Sequence, residues 1–100
     1  MSRTKVWAHR GASEYAPENT LEAFFLAIDM KADGIELDVQ FSKDGKLVVC
    51  HDESINRVSD GKGFVKDYTL EELKSFNFNK THEKYGIVQI PTLEEILELI

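Results

Sequence analysis

Two histidines, in His9-Arg10-Gly11 and in His51-Asp52, flank the acidic pair of Glu36-Leu37-Asp38. An imidazole passes protons near neutral pH, and carboxylate oxygens hold a hard divalent cation. An arginine grips a phosphate through a planar fork of donors. Together these are the groups that metal-assisted cleavage of a phosphate ester requires.

The residues from Asp33 to Gln40 alternate apolar and polar, which is the period of a strand. Ile35, Leu37 and Val39 are therefore predicted on one face, and Glu36 and Asp38 on the other. Same-face neighbours lie about 6.5 to 7 Å apart along a strand, close enough for a short Asp and a longer Glu to converge on one ion. An exposed polar strand face would show the same pattern. The flanking residues argue for a site. His9 follows the β-prone run Val6-Trp7-Ala8 and precedes Gly11, which can turn the chain or admit a ligand close to the backbone; His51 follows Leu47-Val48-Val49-Cys50. In parallel α/β folds, binding groups collect at the carboxyl ends of strands, and all of these residues fall at or near such ends.

The elements that must position them read as follows. A first strand covers about residues 5–8. Asn19 or Thr20 caps a helix in which Leu21, Phe24, Phe25 and Ile28 recur at helical spacing as the expected buried stripe. Asp33-Gly34 leads into the Glu36/Asp38 strand, Lys43-Asp44-Gly45 makes a turn, and residues 46–50 return as a strand, a pair that suits a hairpin-like excursion. Residues 53–86 read as polar and irregular apart from one short helix begun by Thr69-Leu70-Glu71-Glu72, a capping-box pattern. Thr92-Leu93-Glu94-Glu95 repeats that pattern and begins the last helix. His82, among Lys80, Glu83 and Lys84, is expected in a surface loop.

Composition bounds the function. The chain has 100 residues, 42% of them hydrophobic and 30% charged, which suits a folded globular chain and not a disordered one. The net charge of -6, with no basic run, argues against a nucleic-acid partner. An anionic substrate must then be drawn in by local positive charge, from a metal, Arg10 and Lys43. Cys50 is the sole cysteine, so no intrachain disulfide forms, and it reads as a small buried core residue. No segment is long and apolar enough to span a bilayer, and no signal-peptide pattern opens the sequence, so a cytoplasmic location is expected.

His9-Arg10-Gly11, Pro17-Glu18-Asn19-Thr20, Ala32-Asp33-Gly34-Ile35-Glu36-Leu37-Asp38-Val39, Lys43-Asp44-Gly45 and Val48-Val49-Cys50-His51-Asp52 closely resemble the glycerophosphodiester phosphodiesterase family. Arg57, residues 61–63, 69–73 and 90–95 extend the likeness over nearly the whole chain. Lys31 departs from it, since the family commonly has glycine there. The resemblance implies a TIM-type (β/α) barrel of the phospholipase-C-like phosphodiesterase kind. Such barrels need about 200 residues or more, so residues 1–100 are expected to be the N-terminal part of the domain, with a small insertion at about 53–86.

The resemblance further implies hydrolysis of glycerophosphodiesters to glycerol 3-phosphate and an alcohol such as choline or ethanolamine. Glu36 and Asp38 would hold a divalent ion, Mg²⁺ or Ca²⁺ rather than zinc, because the ligands are oxygens. Arg10 would bind the substrate phosphate, and His9 and His51 would serve as acid and base, in an order the sequence leaves open. Glu18 and Lys43 would support them. A further acidic metal ligand and a lysine are expected from later strands, so this piece alone is expected to be inactive or poorly active and to self-associate through exposed strand edges. Two alternatives remain: a related phospholipase-type phosphodiesterase, and a truncated, non-catalytic phosphate-binding or interaction module.

Overall fold

The computed structural model describes residues 7–11, 13–32 and 34–99, with the side chains of Trp7, Ala8 and His9 outside the described set. A short strand β1 (Trp7–His9) is followed by helix α1 (Leu21–Asp29) and strand β2 (Gly34–Glu36). β1 and β2 pair in parallel, with His9 opposite Glu36, so the intervening helix makes this a β-α-β unit. Gly11 sits tight against α1 at φ +77°: a Cβ there would lie 2.7 Å from the Ala23 carbonyl carbon and 2.8 Å from its Cβ. Only glycine accepts both that conformation and that approach.

Thr20 caps α1, accepting from the Ala23 N–H at 3.2 Å and donating to the Pro17 carbonyl at 2.6 Å. The buried face of α1 is Ala23, Phe24 and Ala27, whereas Phe25 is 61% and Ile28 42% exposed. The expected stripe is therefore rotated. The close passage of Gly11 over Ala23 puts small residues at the contact and turns Phe25 and Ile28 outward. The helix ends with Lys31 at φ +59°, its N–H donating to Ile28 and that of Ala32 to Ala27. That is a Schellman ending with lysine in the left-handed position that glycine prefers.

The expected strand over residues 33–40 is divided. β2 stops at Glu36, and after Leu37 and Asp38 the chain enters a second sheet as β3 (Val39–Phe41), antiparallel to β4 (Leu47–Val49). The Lys43-Asp44-Gly45 turn joins them as a hairpin, as expected. Val39 consequently leaves the face of Ile35 and Leu37 and is 43% exposed, while those two pack with Phe24, Val49 and Ile96. The larger core lies further on. Val48, Cys50, Ile55, Val58, Val65, Leu73, Phe78 and Ile90 form one buried cluster, most of it from the segment read as polar and irregular. Its backbone is indeed mostly loop, with 3-10 turns at Val65–Asp67 and Glu83–Tyr85 and one helix, α2 (Leu70–Ser75).

Both predicted capping boxes form. Thr69 and Glu72 exchange side-chain-to-backbone bonds at the start of α2, and Thr92 and Glu95 do so at the start of α3 (Leu93–Leu99). Glu95 also receives Lys74 Nζ at 2.6 Å, which ties α2 to α3. Among the described residues no helix is long and apolar enough to cross a membrane.

Candidate active site

Three chain segments meet at one end of the two sheets. The Arg10 N–H continues the β1–β2 ladder by donating to the Glu36 carbonyl at 2.7 Å, and the Cys50 N–H donates to the Asp38 carbonyl at 2.9 Å. The ends of β1, β2 and β4, which carry Arg10, Glu36 with Asp38, and His51, are thereby held side by side. Gln40 reinforces the junction, its Nε2 donating to the carbonyls of Cys50 at 2.9 Å and Asp52 at 2.5 Å.

The loop after β1 is fixed by a bond from the Asn19 N–H to the Arg10 carbonyl at 2.8 Å. Arg10 and Asn19 both take left-handed backbone, at φ 56° and 55°, uncommon for residues with side chains and concentrated at functional sites. This closes the loop and brings its polar residues over the end of β2. Asn19 Nδ2 donates to Asp38 Oδ2 at 3.1 Å, Arg10 Nε lies 3.6 Å from the same oxygen, and Arg10 Nη1 donates to Glu18 Oε2 at 3.2 Å. Both contacts on Asp38 fall on one oxygen. Two buried polar atoms there, Arg10 Nε and Asn19 Oδ1, have no hydrogen-bond partner among the described residues.

On the other side, His51 Nδ1 lies 2.8 Å from Asp52 Oδ1. Arg57 joins the two halves. Its Nη1 and Nη2 donate to the two oxygens of Glu18 at 2.8 and 2.9 Å, and its Nε and Nη2 donate to the two oxygens of Asp52 at 2.9 and 3.2 Å. An unbroken series of contacts therefore runs from His51 through Asp52, Arg57, Glu18 and Arg10 to Asp38.

The charges follow from these partners. Arg57, and then His51, hold the Asp52 carboxyl down to about 2. An ionised Asp52 accepts from Nδ1–H, which leaves Nε2 of His51 as the ring nitrogen open to exchange a proton. Burial pushes Glu18 upward, but its bonds to Arg57 and the charge of Arg10 outweigh that and keep its carboxyl below the ordinary range. Burial pushes the Cys50 thiol up to about 12, in keeping with an inert core residue.

The structure thus brings together Arg10, Glu18, Asp38 and His51. Glu36 lies at the end of β2 opposite His9 in register, and Ile35 and Leu37 on either side of it pack toward the helices. The His9 backbone ends β1, while its side chain lies outside the described residues. Lys43 is not drawn into this network: it sits in the hairpin turn, its N–H donating to the Tyr68 carbonyl, and the Glu72 carboxyl is lowered chiefly by its bonds from Thr69, with the Lys43 charge a smaller contribution. Sequence reading gave no site role to Asp52 or Arg57 and offered Asn19 only as an alternative to Thr20 for the helix cap, which Thr20 supplies. All three lie in the motifs that carry the family likeness, and the adjacency of Asp52 to His51 was the available signal. His82 lies in a loop, as expected, with Nε2 3.0 Å from the Glu14 carbonyl.

Residues 9–100 match the model of the glycerophosphoryl diester phosphodiesterase family. The chain belongs to this family. A glycerophosphodiester phosphodiesterase of Caldanaerobacter subterraneus subsp. tengcongensis is 56% identical over 99 residues, which is 98% of this chain and 41% of that protein. A phosphodiesterase of Oleispira antarctica, solved in complex with the product sn-glycerol-3-phosphate, superposes with a TM-score of 0.92 at 40% identity, over 97% of this chain and 40% of its own. The glycerophosphodiester phosphodiesterase of Agrobacterium tumefaciens superposes with a TM-score of 0.89 at 39% identity, over 96% and 42%. The chain therefore spans about two fifths of the relatives it matches, as the N-terminal part of a phosphodiesterase (β/α) barrel.

A divalent ion, which the family likeness implies, can be weighed against these residues. Among the described residues no group of three or more His, Cys, Asp and Glu converges on one point. The donor chemistry nevertheless fits a hard cation. Asp38 Oδ2 is committed to Asn19 and Arg10, whereas its second oxygen meets no such restraint among the described residues, and Glu36 is two residues away. Mg²⁺ in particular is commonly held by one or two carboxylates, with water and substrate phosphate completing its shell.

Proposed function

We propose that the protein carrying this chain hydrolyses glycerophosphodiesters to glycerol 3-phosphate and an alcohol, using a divalent ion and histidine acid–base chemistry. The observation that carries the reading is the junction of three strand ends, where an oriented imidazole, a half-buried arginine and the Asp38 carboxylate are linked by one series of contacts, with Glu36 at the end of β2. The product complex of the Oleispira relative supports a substrate of this class. Glu36 and Asp38 would hold the ion, Mg²⁺ or Ca²⁺, which would offset charge developing on the phosphate.

The protein's own groups do the rest. Arg10, its guanidinium braced by Glu18, offers donors to the phosphate oxygens. Asn19 fixes one oxygen of Asp38 and so directs the other outward, as outer-shell partners do for ligating carboxylates. His51, with Nδ1 pinned by Asp52, presents Nε2 to the reacting oxygens. His9 and His51 divide the proton work, one activating the nucleophile and the other protonating the departing alcohol. Residues 53–86 act as a small insertion that packs against β4 and supports the His51 end.

The test is release of glycerol 3-phosphate from glycerophosphocholine and glycerophosphoethanolamine by the full-length protein, with and without EDTA. The expected result is turnover that EDTA abolishes and Mg²⁺ or Ca²⁺ restores. No turnover on either diester contradicts the reading, and turnover on lysophosphatidylcholine in their place favours a phospholipase-type enzyme. The 100-residue chain by itself is expected to be poorly active or inactive and to self-associate, because Phe25, Met30, Phe41 and Leu97 are each more than half exposed. Light scattering checks this, and a monodisperse, active monomer would contradict it.

A further inference from the structure

We infer that Arg57 is a positioning residue that sets the orientation of His51 and of Arg10 together. This deepens the proposed function and rests on that reading. The observation is one guanidinium shared by two carboxylates. Arg57 meets Glu18 through Nη1 and Nη2 and meets Asp52 through Nε and Nη2, so four contacts of 2.8 to 3.2 Å use both edges of the fork. Each of those carboxylates in turn touches a different functional side chain. Asp52 meets His51 Nδ1 at 2.8 Å, and Glu18 receives Arg10 Nη1 at 3.2 Å.

Glu18 and Asp52 belong to separate loops, one after β1 and one after β4. Without a cation between them the two carboxylates would repel, and each would be free to rotate away from its partner. A planar, doubly bidentate cation is the only side chain that holds both at once; lysine supplies the charge but as a single point. Arg57 is more than a surface ion pair, because the geometry it fixes is that of the imidazole and of the phosphate-binding arginine. Displacing catalytic groups by about 1 Å costs on the order of 100-fold in rate.

The experiment uses the full-length protein with R57A, R57K, D52N and the R57A D52N double variant. Two quantities are read: kcat/KM on glycerophosphocholine, and the ¹⁵N signals of the His51 ring. In the wild type the ring is expected as the Nδ1–H tautomer. In R57A and R57K it is expected to lose that preference, with kcat/KM lower by about 10- to 100-fold, and the double variant is expected to be no worse than the poorer single variant. R57K keeps the stem and the charge, so it serves if R57A does not fold. An unchanged His51 tautomer in the Arg57 variants, or losses that multiply in the double variant, overturns the inference. A wild type that turns over no diester would sink the activity reading instead, and the ring signals would still decide the role of Arg57.

Discussion

The β1–α1–β2 unit and the segment from residue 51 to 92 solve opposite problems. The first is built of regular elements, and among the described residues it enters the smaller cluster through Phe24, packed with Val49 of β4 and Ile96 of α3, while Phe25, Ile28 and Met30 stay exposed. The second has almost no regular backbone, yet it supplies most of an eight-residue buried cluster. Regular strands place chemistry with accuracy because their ends line up in register. The irregular segment contributes packing and one long cation, Arg57, that reaches back across the site. Stability is thus drawn mainly from the second region, while the candidate site is shared, since His51 and Asp52 open the irregular segment and Arg10 and Asp38 come from the strand ends.

Core truncation should break that contrast most strongly. Leu73 is fully buried in the larger cluster, and Leu73→Ala is expected to destabilise by about 2–5 kcal/mol in urea unfolding. Phe25→Ala, on the exposed side of α1, should change stability by under about 0.5 kcal/mol. Comparable losses at the two positions would contradict the assignment of the core to the irregular segment.

Within the regular unit the sensitive point is a contact and not a large side chain. Gly11→Ala forces a Cβ into Ala23 at a left-handed backbone position, and a cost of about 1–3 kcal/mol is expected from calorimetry. The same helix offers a smaller change of opposite sign. Lys31→Gly relieves the left-handed lysine at the helix end and should stabilise by about 0.5–1 kcal/mol, while a loss would refute the Schellman reading of that terminus.

The mildest lever is pH. Asp52 is held at about 2 in the folded chain against an ordinary value of 3.8. Its folded-state value is the lower one, so its contribution is complete above the ordinary value and is lost as pH falls from about 4 toward 2. Acid unfolding of Arg57→Met should show a weaker dependence on pH over that window. An identical acid limb in the variant would mean that the Arg57–Asp52 pair carries no linkage.

These elements differ in how plainly they could be read from sequence. The capping boxes at Thr69 and Thr92 and the Thr20 cap were legible because both partners lie within three residues of one another. The Lys43-Asp44-Gly45 hairpin was legible for the same local reason. The break between β2 and β3 was not, since the apolar–polar alternation runs through it unchanged, and it arises from the Cys50 N–H pairing with Asp38. The buried face of α1 differs from the stripe of large residues because the close passage of Gly11 selects Ala23, and Ala27 is buried one turn further along. The core of residues 53–86 was missed because Ile55, Val58, Val65, Leu73 and Phe78 follow no period.

Of the side chains that meet at the junction, Arg10, Asp38 and His51 could be named from residue type and from their place at strand ends. Asn19, Asp52 and Arg57 could not be given roles that way. Their function is to hold other side chains, and that depends on contacts between segments far apart in the chain, such as Arg57 on Glu18, 39 residues away.

The central claim is that an Asp52-oriented His51 does proton chemistry on a phosphodiester at this junction. Steady-state release of glycerol 3-phosphate from glycerophosphocholine by the His51→Ala variant of the full-length protein tests it most directly. The account predicts a fall in kcat of about 10²- to 10⁴-fold with an unchanged unfolding midpoint. A turnover within about threefold of wild type would remove His51 from the chemistry and contradict the account.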